Sequence, residues 1–194
     1  MLLNILKQIN WVDIGVLVLA VRICLTAAKN GFPIELFKFI GTLSAIYFSS
    51  HYYITISDRI DSWLALGNRL PLGFLDFIVF VLVALGGYGI FVLLRSIFGK
   101  LLKMEAISAL NRWGSLILGI FRALLLSSLI IFVMFISSVD YFKSSAKESY
   151  SGRRLFMLCP ATYSWLWNTI TSKFAKSEKF NDVISSTSNE FRNS

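Results

Sequence analysis

FIVFVLVALGGYGIFVLL, residues 77–94, contains no charged side chain and is closed off by Asp76 on one side and Arg95 on the other. A helix crossing the hydrocarbon core of a bilayer needs about 20 mostly apolar residues, so this run with its flanks has the length of one crossing. Inside it, Ala84, Gly86, Gly87 and Gly89 are small. Glycines this dense weaken a helix in water, whereas in lipid they mark a packing contact or a local kink. The composition of the whole chain agrees: of 194 residues, 56% are hydrophobic and only 15% charged, with a mean hydropathy of +0.67. An average soluble domain carries about a quarter charged residues. The shortage of ionic groups argues against both a soluble globular enzyme and a disordered chain.

Working outward, three more apolar stretches read as spans. The expected fold is an all-α integral membrane protein with four transmembrane helices, over roughly 12–28, 33–53, 72–95 and 113–139, together forming a membrane domain over 1–140. Lys29-Asn30-Gly31-Phe32-Pro33 separates the first two, since glycine permits a positive φ and Pro33 suits the first turn of a new helix. The start is not read as a signal peptide, because the apolar core from Val12 to Ala28 is too long and contains Asp13 and Arg22. A polar connection is expected from Ser57-Asp58-Arg59 to Arg69-Leu70-Pro71, and a basic one through Arg95, Lys100, Lys103, Glu105 and Arg112. Residues 141–194 read as a basic juxtamembrane segment, an amphipathic helix over 160–176 and a disordered tail from Ser185. Tyr163, Leu166, Trp167, Ile170 and Phe174 share one face of that helix, as in a helix lying in the membrane interface.

Small residues recur every fourth position at Ser115, Gly119, Ala123 and Ser127, and again at Gly41, Ala45 and Ser49. Such slanted grooves suit close helix packing, either within one bundle or between copies of the chain. Arg122 shares the first groove. An arginine at mid-bilayer costs about 3 kcal/mol or more, so it faces the bundle interior or a wet cavity. Its candidate partners are Asp13, Glu35 and Asp76, while Arg22 has a stem long enough to snorkel. Two readings of these charges stand side by side: a structural ion-pair network, and a path for ions or protons.

Signals for catalysis are thin. His51 is the single histidine, so a two-histidine zinc motif is excluded, and Gly86-Gly87-Tyr88-Gly89 lacks the Lys-Ser/Thr ending of a phosphate loop. Cys24 and Cys159 belong to no metal or redox motif and read as buried thiols. Neither an enzyme activity nor a cofactor nor a metal is expected. The net charge of +8 points to anionic lipid rather than nucleic acid.

Trp11-Val12-Asp13-Ile14, Gly31-Phe32-Pro33-Ile34-Glu35 with Gly41 following, His51-Tyr52-Tyr53, and the stretch Asn111-Arg112-Trp113-Gly114-Ser115 through Gly119 to Arg122 together resemble the colicin V production protein (CvpA) family. The last stretch is similar to that family's Asp-Arg-x-x-Gly-x-x-x-Gly-x-x-Arg. The resemblance spans about residues 10 to 175 and singles out Asp13, Gly31, Glu35, Arg112, Gly119 and Arg122, while the small-residue spacing marks Gly41, Ala45, Ser115 and Ala123 as packing positions. Asn111 stands in place of the usual aspartate and Ser115 in place of the first glycine, so a role for a carboxylate at 111 is lost. Asn30 stands where an arginine is common, and Arg22 has no family counterpart.

The resemblance implies a bacterial inner-membrane protein that supports production or export of colicin V, or envelope homeostasis more generally. Its partners would be the lipid bilayer and either a second copy or a secretion or envelope protein. The alternative is a small channel or transporter subunit built around Arg122. Four spans put both termini on one side. Lys7, Arg59, Arg69, Lys143, Lys147, Arg153 and Arg154 on that side slightly favour a cytoplasmic location by the positive-inside count. Fusions of family-like regions to extracytoplasmic proteases imply the reverse, and the expectation adopted is that both ends are periplasmic.

Overall fold

The computed structural model describes residues 10–64, 72–101, 108–174 and 178–193. Lys7, Arg69, Leu70, Pro71, Lys103 and Glu105 lie outside them. Asn10 begins the first helix, α1 (Trp11–Asn30), with a capping box: its side chain accepts from Val12 N–H at 2.7 Å, and Asp13 accepts from Asn10 N–H at 3.0 Å. These reciprocal bonds satisfy amide groups that a helix start leaves without partners. Gly31, at φ 78°, ends α1 in a conformation that side-chain-bearing residues avoid. α2 (Phe32–Leu64) starts immediately with Pro33 in its first turn. α3 (Leu72–Leu101) and α4 (Ser108–Ile136) complete the long helices.

Among the described residues, three helical segments, Trp11–Asn30, Gly73–Ile97 and Asn111–Ile136, are long and apolar enough to cross a membrane. Their outward faces carry exposed Leu17, Val18, Leu25, Leu82, Leu93 and Ile117. A soluble monomer does not display apolar surface on this scale. α2 has length to spare, 33 residues or about 50 Å, but is less apolar. The reason is its central position: it packs along both α3 and α4, and Glu35, Thr42, Ser49, Ser50, His51 and Ser57 are all buried. A helix shielded by its neighbours has less need of an apolar surface. It also runs well past Tyr53, so the expected polar connection at Ser57-Asp58-Arg59 is helical instead.

α1 packs mainly on α4, and α3 mainly on α2. The two small-residue grooves serve these separate contacts. A Cβ at Gly119 would collide with Ala27 of α1, whereas one at Gly41 would lie 3.0 Å from Phe91 Cβ of α3. These two glycines therefore open onto outer helices rather than onto each other.

The C-terminal third folds back over the bundle end where α1 begins and α4 finishes. It comprises α5 (Asp140–Glu148), α6 (Tyr150–Leu155), α7 (Leu158–Leu166) with a π turn (Trp167–Thr171) and a last turn (Ser172–Phe174), and α8 (Asp182–Asn193). Ser128 of α4 ties this cap down, donating to Phe156 C=O at 3.2 Å and accepting from Cys159 N–H at 2.7 Å. Phe132, Phe135, Phe156 and Phe191 form an aromatic core there, the Phe156 and Phe191 rings stacking at 3.8 Å. The tail expected to be disordered is helical, because Ile184 and Phe191 supply apolar anchors within an otherwise Ser/Asn-rich sequence. Tyr163 and Leu166 of the expected interfacial face are buried against the protein, leaving Trp165, Ile170 and Phe174 exposed.

Gly119→Val is expected to lower stability by about 1–3 kcal/mol through overpacking against Ala27. The lowered Tm in detergent should contrast with Gly15→Val, whose surroundings are open.

Candidate functional site

The turn between α1 and α2 is too short to separate its polar groups, and it delivers them to one place. Glu35, in the first turn of α2, has no exposed surface. Its Oε1 accepts from Asn30 Nδ2 at 2.7 Å and from Lys38 Nζ at 3.0 Å. Its Oε2 lies 3.0 Å from Arg122 Nη2, whose side chain is 6% exposed. Three helices thus contribute to one buried carboxylate. A bare carboxylate moved out of water costs several kcal/mol, and only close cations with good geometry offset this. Arg122 Nε is also buried and has no hydrogen-bond partner among the described residues.

The surroundings of this knot are built from the stretch that carries the resemblance. Asn111 Oδ1 accepts from Phe32 N–H at 2.7 Å, capping the start of α2 from the facing helix. The amide oxygen at 111 therefore does a job that needs an acceptor but no charge. Gly114 leaves room for the Phe32 ring, and Ser115 is fully buried with its hydroxyl donating to Arg112 C=O at 2.9 Å. Ala45 and Ala123 are buried. Arg112 itself is exposed and stands apart from the knot.

Of the three partners considered for Arg122, Glu35 is the one in contact. Asp13 is at the opposite end of α1, where it accepts from Ser151 N–H at 2.6 Å and Tyr150 N–H at 3.2 Å and so joins α1 to the cap. Asp76 likewise belongs to the cap end, at the start of α3. Lys38 and Asn30 are not among the partners that the sequence suggests. Lys38 is three residues beyond Glu35 on one helix face, a spacing that brings opposite charges together, but Asn30 reaches Glu35 only through the geometry of the Gly31 turn.

α1 and α3 make no extensive contact with each other. The gap between them, floored by α2 and α4, is a cavity of about 570 Å³ whose wall includes Arg22, Lys38 and Arg122.

A second polar cluster joins α2 to the cap. His51 Nδ1 is 3.0 Å from Tyr163 Oη, and His51 Nε2 is 3.2 Å from Glu178 Oε2. Asn181 N–H donates to the same Tyr163 oxygen at 3.0 Å, and Asn181 Nδ2 donates to Ser50 C=O at 2.7 Å. Burial pushes the Tyr163 phenol up to about 12, the Asn181 amide only partly opposing this, so it keeps its proton at neutral pH. The phenol lies within hydrogen-bond distance of Nδ1, and Glu178 within that of Nε2. Both ring nitrogens are engaged. Burial likewise pushes the Cys159 thiol up to about 12, far from the thiolate that a nucleophile requires.

An all-helical, multi-pass membrane protein with a buried charge knot between its central helices and a folded polar cap is the class these features define. The chain matches the family described as colicin V production protein over residues 12–176, and it belongs to that family. The match includes Glu35, Arg122, His51 and Tyr163, whereas Glu178 and α8 lie beyond it. No curated protein and no solved structure matches the chain.

Glu35→Gln should destabilise the protein by about 3–5 kcal/mol, because it strands the Arg122 charge. The double variant Glu35→Leu/Arg122→Leu should recover most of that loss in detergent unfolding. At the cap, the contribution of Tyr163 is fully present below pH 10, the ordinary phenol value, and is lost as pH rises toward 12. Near-UV circular dichroism of unfolding across that interval should show the decline, and Tyr163→Phe should make it shallower, since the phenols of Tyr52 and Tyr53 are also raised by burial, while lowering stability by about 1–3 kcal/mol at neutral pH.

Proposed function

We propose that this chain is a four-span bacterial inner-membrane protein, with α2 as the fourth span, that supports colicin V production or export in hosts making that toxin and envelope homeostasis elsewhere. It has no catalytic role and needs no cofactor. Both termini and the cap lie on the periplasmic side. The bilayer is its first partner, joined by a second copy or a secretion or envelope protein, and nucleic acid is not one. Ile170 and Phe174 anchor the extension of α7 in the membrane interface.

The observation that carries the scaffold reading is the Glu35 knot. A carboxylate with no exposed surface, shared by Asn30, Lys38 and Arg122, fits an element that fixes three helices in place. A conducting relay requires groups that exchange protons or ions with water, and this carboxylate has no access to it. The engaged His51 ring and the protonated Cys159 thiol also speak for a non-catalytic protein.

The second reading, a small channel or transporter subunit, draws its support from the cavity that places Arg22, Lys38 and Arg122 together. Proteoliposomes separate the two. Under the scaffold reading, wild-type protein adds no ion or proton flux to vesicles, and Arg122→Leu lowers stability without any change in flux. Measurable wild-type flux that a folded Arg122→Leu variant abolishes would overturn it. In a colicin V producer, deletion should reduce released toxin and the wild-type chain should restore it. A C-terminal reporter active only outside the cytoplasm should be active, and a cytoplasmic signal would reverse the orientation.

A further inference from the structure

The cavity between α1 and α3 is graded along the bundle axis. Toward the α1–α2 turn its wall carries Arg22 and Thr26 from α1, Lys38 from α2, Tyr88 from α3 and Arg122 from α4. Toward the cap the wall is apolar: Leu19, Phe80, Val81, Leu129, Ile130 and Val133. Arg122 and Val133 are eleven residues apart on α4, which gives the gradient a length of about 16 Å.

Charge within the cleft does not balance. Three cations face it and Glu35 supplies one carboxylate, already shared by Lys38 and Arg122. Arg22 forms no ion pair among the described residues, although it lies within a helix apolar enough to span a membrane. Buried Arg122 Nε has a proton and no acceptor. Cations in such a setting call for an anion. The approach to them is lateral, because the flanking helices carry exposed Leu25, Leu82 and Leu85 on their outer surfaces. A soluble anion arriving this way would have to lose its water against an apolar wall. An amphiphile already resident in the bilayer would not.

We propose that this cleft binds one anionic phospholipid, its phosphate held by Arg22, Lys38 and Arg122 and an acyl chain laid along the apolar wall toward the cap. The volume, about 570 Å³, is within the usual range of about 300–1,000 Å³ for ligand sites. The lipid phosphate supplies the counter-charge that Arg22 lacks. The assignment concerns the occupant of the cleft and holds whether the protein supports export or some other envelope process.

Native mass spectrometry of the full-length protein, released from nanodiscs holding equal amounts of phosphatidylglycerol and phosphatidylcholine, tests it. The expected result is preferential retention of one phosphatidylglycerol. Arg22→Gln should reduce that retention about fivefold, the contribution of one cation facing anionic lipid. Arg22 is exposed and outside the Glu35 knot, so the variant should fold, which an unchanged Tm checks. Ala84→Trp, which fills the cleft beside Val81, should reduce retention as well. Equal retention of both lipids, or a folded Arg22→Gln variant with unchanged retention, would overturn the proposal. So would displacement by inorganic phosphate with Ala84→Trp without effect, which would make the site one for a soluble anion. Loss of a dimer in Ala84→Trp with retention unchanged would assign the cleft to a second copy and overturn it too. The readout is retained lipid, independent of toxin release and of ion flux.

Discussion

A carboxylate with no access to water is the constraint around which the long helices are arranged. Burying Glu35 in that position is costly without cations beside it, and the cations that meet it come from its own helix and from α4, with an amide from the end of α1. Each of these contacts fixes a distance between helices that apolar packing alone would leave free to slide. Van der Waals packing between helices in lipid is weakly directional, since lipid tails offer much the same contacts as leucine does. The ion pair and its hydrogen bonds supply direction. Gly119 and Gly114 then matter because they let α1 and the start of α2 come close enough to α4 for those bonds to form.

At the other end the same helices are held by different chemistry. Asp13 and Trp11 of α1, His51 of α2 and Ser128 of α4 each bond to the C-terminal cap. α2 is long enough to take part in both layers, with Glu35 near one end and His51 well along it. Its buried polar groups lower its hydropathy and at the same time explain why it sits in the centre. A helix with this many serines, threonines and ionisable groups on its surface is stable among apolar neighbours only if they satisfy those groups.

Much of this was legible in the sequence, and the parts that were not have physical reasons. The apolar runs announce α1, α3 and α4 through length and composition alone. Arg122 on a small-residue face had to turn inward, and Glu35 was among three carboxylates that could meet it. Which one did depends on depth, and depth is set by the tight turn at Gly31, a three-dimensional fact with only a faint local signature. Asn111 was harder to read, because what its position requires is an acceptor for one amide, a property that aspartate and asparagine share. The cap is hidden in the sequence for a related reason. Ser185 to Ser194 looks polar enough to stay disordered, yet Phe191 finds Phe156 and Ile184 finds the core, and contacts between segments far apart in sequence leave no periodicity to detect.

The closeness of Asn30, Glu35 and Lys38 along the chain has a consequence for how the protein enters the membrane. As the chain is synthesised, α1 and α2 emerge as a hairpin in which the carboxylate already has a lysine and an amide beside it. The charge that is most costly to bury is therefore largely accommodated within the α1–α2 hairpin itself. Arg122 follows only after α3 has been made, and it meets a waiting acceptor rather than bare hydrocarbon. The register of α4 against the α1–α2 hairpin is thus tied to one guanidinium–carboxylate contact.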